Sequence, residues 1–189
     1  IFIVVHQKSF VNKTVDNLWG IGTIKIERGR RIGMEIERKF LVQKLPLEAP
    51  LGYVEMEQGY ISTDPVIRIR RQKTGEEESF VLTIKGGGLV MREEYELALD
   101  RAQFEGLRSK CTGRIITKIR YRYALSDGLI AEVDVFGGEQ QGLILAEVEF
   151  SDEQSMLRFK KPDWFGKDVS QDIRYHNSYM SMERRNGES

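Results

Sequence analysis

One feature constrains this chain above the rest: extended segments alternate with period two, and one face of each is charged rather than neutral polar. Residues two apart in a strand share a face. Segment 34–42 (MEIERKFLV) thus sets Glu35, Glu37 and Lys39 on one side, with Ile36 and Phe40 on the other. Segment 66–72 sets Arg68 and Arg70 against Ile67 and Ile69, and 79–85 ends its polar face on Lys85. Further on, 89–99 contributes Arg92, Glu94 and Glu96, and 114–125 contributes Lys118, Arg120 and Arg122. Glu132 and Asp134 come from 129–136, and Glu147 and Glu149 from 143–150.

With 53–61 these segments make eight predicted strands. Turn signals such as Thr74-Gly75 and Ser126-Asp127-Gly128 keep the connections short, so antiparallel pairing is expected. Eight antiparallel strands can close into a barrel and so remove their edges. Helices are expected around 101–110, capped by Asp100, around 151–160, opened by a capping box of Ser151 and Gln154, and around 172–183. They would cover an outward apolar face, while the charged face lines a tunnel. A dry core of so many charges would be prohibitively costly, whereas a water-filled one is not. The fold class read here is α+β, mostly β: an eight-stranded antiparallel closed β-barrel with helices packed outside.

Bulk properties narrow the function. Lys plus Arg number 29 and Asp plus Glu 29, a formal net charge of zero. That balance argues against a general nucleic-acid or membrane binder. Cys111 is the single cysteine, and with only His6 and His176 a zinc or histidine-centred site is poorly supported. No apolar run reaches membrane-spanning length, and the run Ile1–Val5 is short for a signal sequence, so a cytoplasmic location is expected. Residues 1–33 carry no sustained period and are expected to be a non-native or disordered extension, with the domain spanning 34–183 and a tail at 184–189.

An alternating charged face is usually solvated surface. That explanation weakens when many strands repeat it, because like charges two residues apart repel unless something bridges them. Glu35 with Glu37, and Glu147 with Glu149, form carboxylate pairs suited to a divalent cation; Arg68 with Arg70, and Lys118 with Arg120, form cationic pairs suited to a polyanion. Hard oxygen donors favour Mg²⁺ or Mn²⁺, and Arg and Lys favour phosphate oxygens. A metal-bound polyphosphate satisfies both.

These segments together resemble the triphosphate tunnel metalloenzymes of the CYTH superfamily, in particular bacterial tripolyphosphatases. The resemblance rests on Glu35-Ile36-Glu37-Arg38-Lys39 (ExExK), followed in order by RxR at Arg68 and Arg70, TIKG with Lys85, and REEYE with Glu94 and Glu96. Then come KxR at Lys118 and Arg120, EVDVF, AEVEF and the closing segment from Gly166 to Asn177, where Ser170 stands in place of an expected Thr. It implies metal-dependent hydrolysis of a terminal phosphate, most directly from inorganic tripolyphosphate, with adenylate cyclisation, thiamine triphosphate hydrolysis and non-catalytic polyphosphate binding as alternatives. By position it implies that Glu35, Glu37 and Glu149 ligate a first Mg²⁺ or Mn²⁺, and that Lys39, Arg68, Arg70, Lys85, Lys118, Arg120 and Lys167 grip phosphates. Glu132, Asp134 and Glu147 would serve a second metal or the attacking water. The partner implied is a small triphosphate, with no nucleic acid or membrane, and the chain would act as a monomer or homodimer.

Overall fold

Barrel closure is achieved by one strand with two successive neighbours. In the computed structural model, which describes residues 25–27 and 30–182, strand β2 (Arg30–Val42) pairs antiparallel with β6 (Met91–Leu99) through Ile36 and then with β9 (Ile144–Glu149) from Glu37 onward. Between them run β5 (Glu77–Lys85), β4 (Val66–Thr74), β3 (Gly52–Thr63), β7 (Thr112–Ala124) and β8 (Ile130–Phe136), in the order β2-β6-β5-β4-β3-β7-β8-β9. All pairings are antiparallel, and the closed barrel expected from the sequence is present. Two short strands join β2 from outside this ring: β1 (Lys25–Glu27) and β10 (Phe165–Asp168). Backbone pairing of β2 begins at Arg30, ahead of Met34. The extension expected at residues 1–33 falls largely outside the described residues.

Helix α1 (Arg101–Arg108) starts at a capping box in which the Asp100 side chain accepts from the Gln103 N–H at 2.7 Å. It lays Phe104 against Ile69 and Phe80 on the outer face. Helix α2 (Glu153–Arg158) is capped by Asp152, not by the expected Ser151; the Asp152 carboxylate accepts from the Ser155 N–H at 2.7 Å. A carboxylate accepts more strongly than a hydroxyl, which moves the start by one residue. Past α2, Phe159, Trp164 and Phe165 cover Phe40, Val133, Ala146 and Val148, the largest outer cluster. Phe40 has no exposed surface and its ring centroid lies 4.7 Å from that of Phe165.

Helix α3 (Asn177–Met182) departs from the expected role of outer cover. Tyr60, Ile116, Phe136 and Leu145, with Leu41 and Val66, share the strand phase of the charged residues and face inward. Met180 of α3 and Val169 pack into this cluster, so one end of the barrel is filled by apolar side chains and closed by α3. Close approach of α3 to β7 depends on Gly113, whose φ of +75° and 2.4 Å gap from an added Cβ to the Ser181 carbonyl oxygen leave no room for a side chain. Among the described residues no helix is long and apolar enough to cross a membrane.

Because Phe40 fills the outer cluster between β2 and the Phe159–Phe165 segment, Phe40→Ala is expected to destabilise the domain by about 3–5 kcal/mol in urea unfolding. A loss below about 1 kcal/mol would show that this cover does not hold β2 in place.

Candidate active site

Above the apolar floor, the barrel interior is a cavity of about 700 Å³, within the range of small-molecule sites. Its wall includes Glu35, Glu37 and Lys39 from β2, Arg68 and Arg70 from β4, and Lys85 from β5. It also includes Arg92, Glu94 and Glu96 from β6, Arg120 and Arg122 from β7, Glu132 from β8, and Glu147 and Glu149 from β9. Strand phase alone brings these residues together, since each lies an even number of positions from its inward neighbours.

The charges form two neighbourhoods. On the β2–β6 side, Lys85 Nζ donates to both Glu35 oxygens, at 2.7 and 2.8 Å, and Arg92 Nε donates to Glu35 Oε2 at 2.8 Å. Arg92 also lies 3.5 Å from Glu37, which is the register partner of Glu149 across β2 and β9. On the β7–β8–β9 side, Arg120 contacts Glu132, Asp134 and Glu147, and Lys118 is bonded to Asp134. Lys39 reaches Glu147 at 2.9 Å, while Arg68 and Arg70 approach Glu96 at 3.9 and 3.2 Å.

Burial makes the balance within each neighbourhood visible. Burial, and then the carboxylates of Glu35 and Glu147, push the Glu37 carboxyl above its ordinary range despite Lys39. Burial does the same to Glu94, helped by Glu35 and Glu96. In the other direction, burial together with Arg68 and Arg120 draws Arg70 down to about 10. Burial and Arg120 draw Lys118 down to about 8. Against the cost of burial, Lys85 and Arg92 hold Glu35 well below the carboxylate range, and Lys39 with Arg120 does so for Glu147. Glu37 and Glu94 are thus each crowded by other carboxylates and Arg70 by other guanidinium groups, although acids and bases interleave, with Arg68 3.7 Å from Glu94 and Arg70 3.2 Å from Glu96. The buried Nε atoms of Arg68 and Arg70 have no hydrogen-bond partner within the protein. An unpaired charged donor inside a protein is costly, and an anion in the cavity would remove the cost.

The floor contributes groups with no readable signal in the sequence. Tyr60 is buried, which raises its hydroxyl to about 12, and its oxygen accepts from Gln58 Nε2 at 3.0 Å. Period two along Val54, Met56, Gln58 and Tyr60 does reach Tyr60, but the neutral inward residues of β3 give no charge pattern to follow. The strap 168–170 clasps Lys39 by its backbone: Val169 N–H donates to the Lys39 carbonyl at 2.8 Å, and Ser170 Oγ accepts the Lys39 N–H at 2.8 Å. His176, also in the cavity wall, has Nε2 at 3.1 Å from the Ser170 carbonyl oxygen. A carbonyl only accepts, so Nε2 carries the proton.

Three expected site residues lie elsewhere. Lys118 and Asp134 point inward, but they are bonded to each other beneath the cavity wall, where Asp134 is fully buried and the ammonium sits 5.5 Å from the centroid of the Phe136 ring. Their mutual neutralisation lets both pack against the floor. Lys167 is exposed on β10, which pairs with the outer run of β2 and keeps its side chain out of the cavity.

As for a divalent cation, no group of three acids is gathered ready for one among the described residues. The donors nonetheless suit Mg²⁺ or Mn²⁺, which are bound through one or two carboxylates plus phosphate oxygens. Glu35, Glu37 and Glu149 share one wall, and a cation there would offset the crowding that Glu35 and Glu147 impose on Glu37.

The family model described as "CYTH domain" matches residues 33–177. An inorganic triphosphatase from Nitrosomonas europaea is 41% identical over 151 residues, covering 78% of this chain and 97% of that protein. An inorganic triphosphatase from Acetivibrio thermocellus is 38% identical over 154 residues, covering 79% and 94%. Among solved structures, an inorganic triphosphatase superposes with a TM-score of 0.60 at 39% identity, covering 79% of this chain and 95% of its own.

Burial, reinforced by Lys39, lowers His176 from 6.5 to about 4. Between those values the unfolded chain binds a proton that the folded chain refuses, so this residue's contribution is complete above pH 6.5 and is lost as the pH falls toward 4. The melting temperature of the wild type should therefore fall more steeply than that of His176→Gln as the pH drops through this window. A gap between the two that does not change with pH would contradict the assignment.

Proposed function

This chain belongs to the CYTH domain family, and on that premise we propose that it hydrolyses the terminal phosphate of inorganic tripolyphosphate inside the barrel, with nucleoside triphosphates as lesser substrates. The observation that carries the reading is the pair of buried guanidinium groups, Arg68 and Arg70, whose Nε atoms lack partners while Arg70 is crowded by Arg68 and Arg120. Such a cluster calls for a polyanion of several charges rather than for a single carboxylate. The two inorganic triphosphatases at 41% and 38% identity support the same substrate class.

In this reading Lys39, Arg68, Arg70, Lys85 and Arg120 hold the non-reacting phosphate oxygens. Glu35, Glu37 and Glu149 would hold Mg²⁺ or Mn²⁺, which would supply charge neutralisation at the phosphate oxygens. Phosphoryl transfer needs mainly positioning and charge neutralisation, so this side-chain set suffices in kind. Water adds to the terminal phosphorus as the bridging P–O bond breaks, giving phosphate and pyrophosphate. Glu132 faces the cavity and orients the incoming water; Glu147, kept ionised by Lys39 and Arg120, orients those two bases. Asp134, bonded to Lys118 and Arg120, supports them from below. The substrate is free and small, the setting is the cytoplasm, and the protein works as a monomer or homodimer.

The test is phosphate release from tripolyphosphate and from ATP, each with Mg²⁺, Mn²⁺ or EDTA. Release should require metal and be faster from tripolyphosphate, and Lys39→Ala should lower it by at least about a hundredfold. Pyrophosphate with cyclic AMP from ATP, or no release from either compound by folded protein, would overturn the reading.

A further inference from the structure

We propose that Arg92 is a resident counter-cation that makes divalent-metal binding depend on the triphosphate. The inference deepens the function proposed above and rests on it. Two of the carboxylates that would accept a metal, Glu35 and Glu37, are already paired with the chain's own cations. Glu35 receives Lys85 on both oxygens and Arg92 on one, and Arg92 extends to within 3.5 Å of Glu37. Arg92 is thus the side chain that spans both acids of the ExE pair. It cannot drift away, because Arg92 and Glu35 are register partners on adjacent strands and the Arg92 side chain is largely enclosed.

A divalent cation arriving alone must displace this guanidinium and then sit beside it. Lys39 and Lys85 add to that repulsion, and of the neighbouring carboxylates Glu147 and Glu94 already face those two lysines, at 2.9 and 3.4 Å. A triphosphate changes the balance. Its oxygens give Lys85 and Arg92 new partners, and Lys85 keeps Glu94 at 3.4 Å as a second anchor. Glu35 and Glu37 are then released toward the metal while phosphate oxygens complete its shell. Metal and triphosphate therefore strengthen each other's binding by the same factor, as linkage requires. Arg92 thus acts on the metal through Glu35 and Glu37 and, once the triphosphate is bound, touches the substrate itself.

The experiment measures Mn²⁺ binding by the electron paramagnetic signal of free Mn²⁺, for the wild type and for Arg92→Met, with no triphosphate present. In parallel, melting temperatures of the wild type are recorded with Mn²⁺, with non-hydrolysable imidotriphosphate, and with both. The proposal expects Arg92→Met to bind Mn²⁺ alone about tenfold more tightly than the wild type. It expects the wild-type shift with both ligands to exceed the sum of the separate shifts. Equal Mn²⁺ affinity in the two proteins, or additive shifts, would overturn the coupling while leaving the hydrolase reading intact. If imidotriphosphate gives no shift with or without Mn²⁺, the triphosphate reading falls and the coupling falls with it. Should Arg92→Met fail to fold, the wild-type shifts decide alone.

Discussion

Barrel closure rests on β2 pairing with β6 along its first half and β9 along its second, and the charge contacts of the interior depend on that switch. It sets Glu35 beside Arg92, Glu37 beside Glu149, and Lys39 beside Glu147 within three alternate residues of one strand. Were β2 to slip by one position, the ExExK charges would face the outer cluster and Phe40 would enter the cavity. The outer packing of Phe40 against Phe165 and the inner ion pairing of Lys39 against Glu147 therefore fix the same register from opposite sides.

The interior is neither a balanced salt-bridge network nor a uniform field. Isolated buried ion pairs seldom repay their desolvation, and here several groups stay crowded by like charges despite their partners. Carboxylates press on Glu37 and Glu94, and Arg68 and Arg120 press on Arg70. Each crowding is a cost that a ligand of opposite charge removes, so the arrangement suits one composite ligand, cation and polyanion together. The floor completes it. An apolar cluster under α3 gives the charges a dry base, and the strap at 168–170 holds the Lys39 backbone against its long-range neighbours.

Much of this was legible in the sequence because period two is a rigid rule: once a strand is located, every second residue is assigned to a face. Glu35, Glu37, Lys39, Arg68, Arg70, Lys85, Arg120, Glu132, Glu147 and Glu149 all reach the cavity on that rule alone. The rule is silent on depth. Lys118 and Asp134 have the correct phase but sit level with Phe136 and Ile116, where they neutralise each other. Lys167 had no readable phase, being on a short strand whose register shifts against β2. Period two could not place Tyr60 or His176 in the cavity, because the first lies on a strand of neutral inward residues and the second follows a 3-10 turn rather than a strand. The α3 plug was misplaced for a related reason. Six residues reveal that a helix has an apolar side but not whether that side meets the outside of a barrel or its end.

The function proposed here requires the interior charges to hold a metal-bound triphosphate. The most direct measurement is a crystal structure with imidotriphosphate and Mn²⁺. Phosphorus atoms are expected within the barrel, with their oxygens on Lys39, Arg68, Arg70, Lys85 and Arg120, and the cation between those oxygens and the carboxylates of Glu35, Glu37 and Glu149. A triphosphate bound only outside the barrel, with Arg68 and Arg70 still lacking partners at Nε, would contradict it.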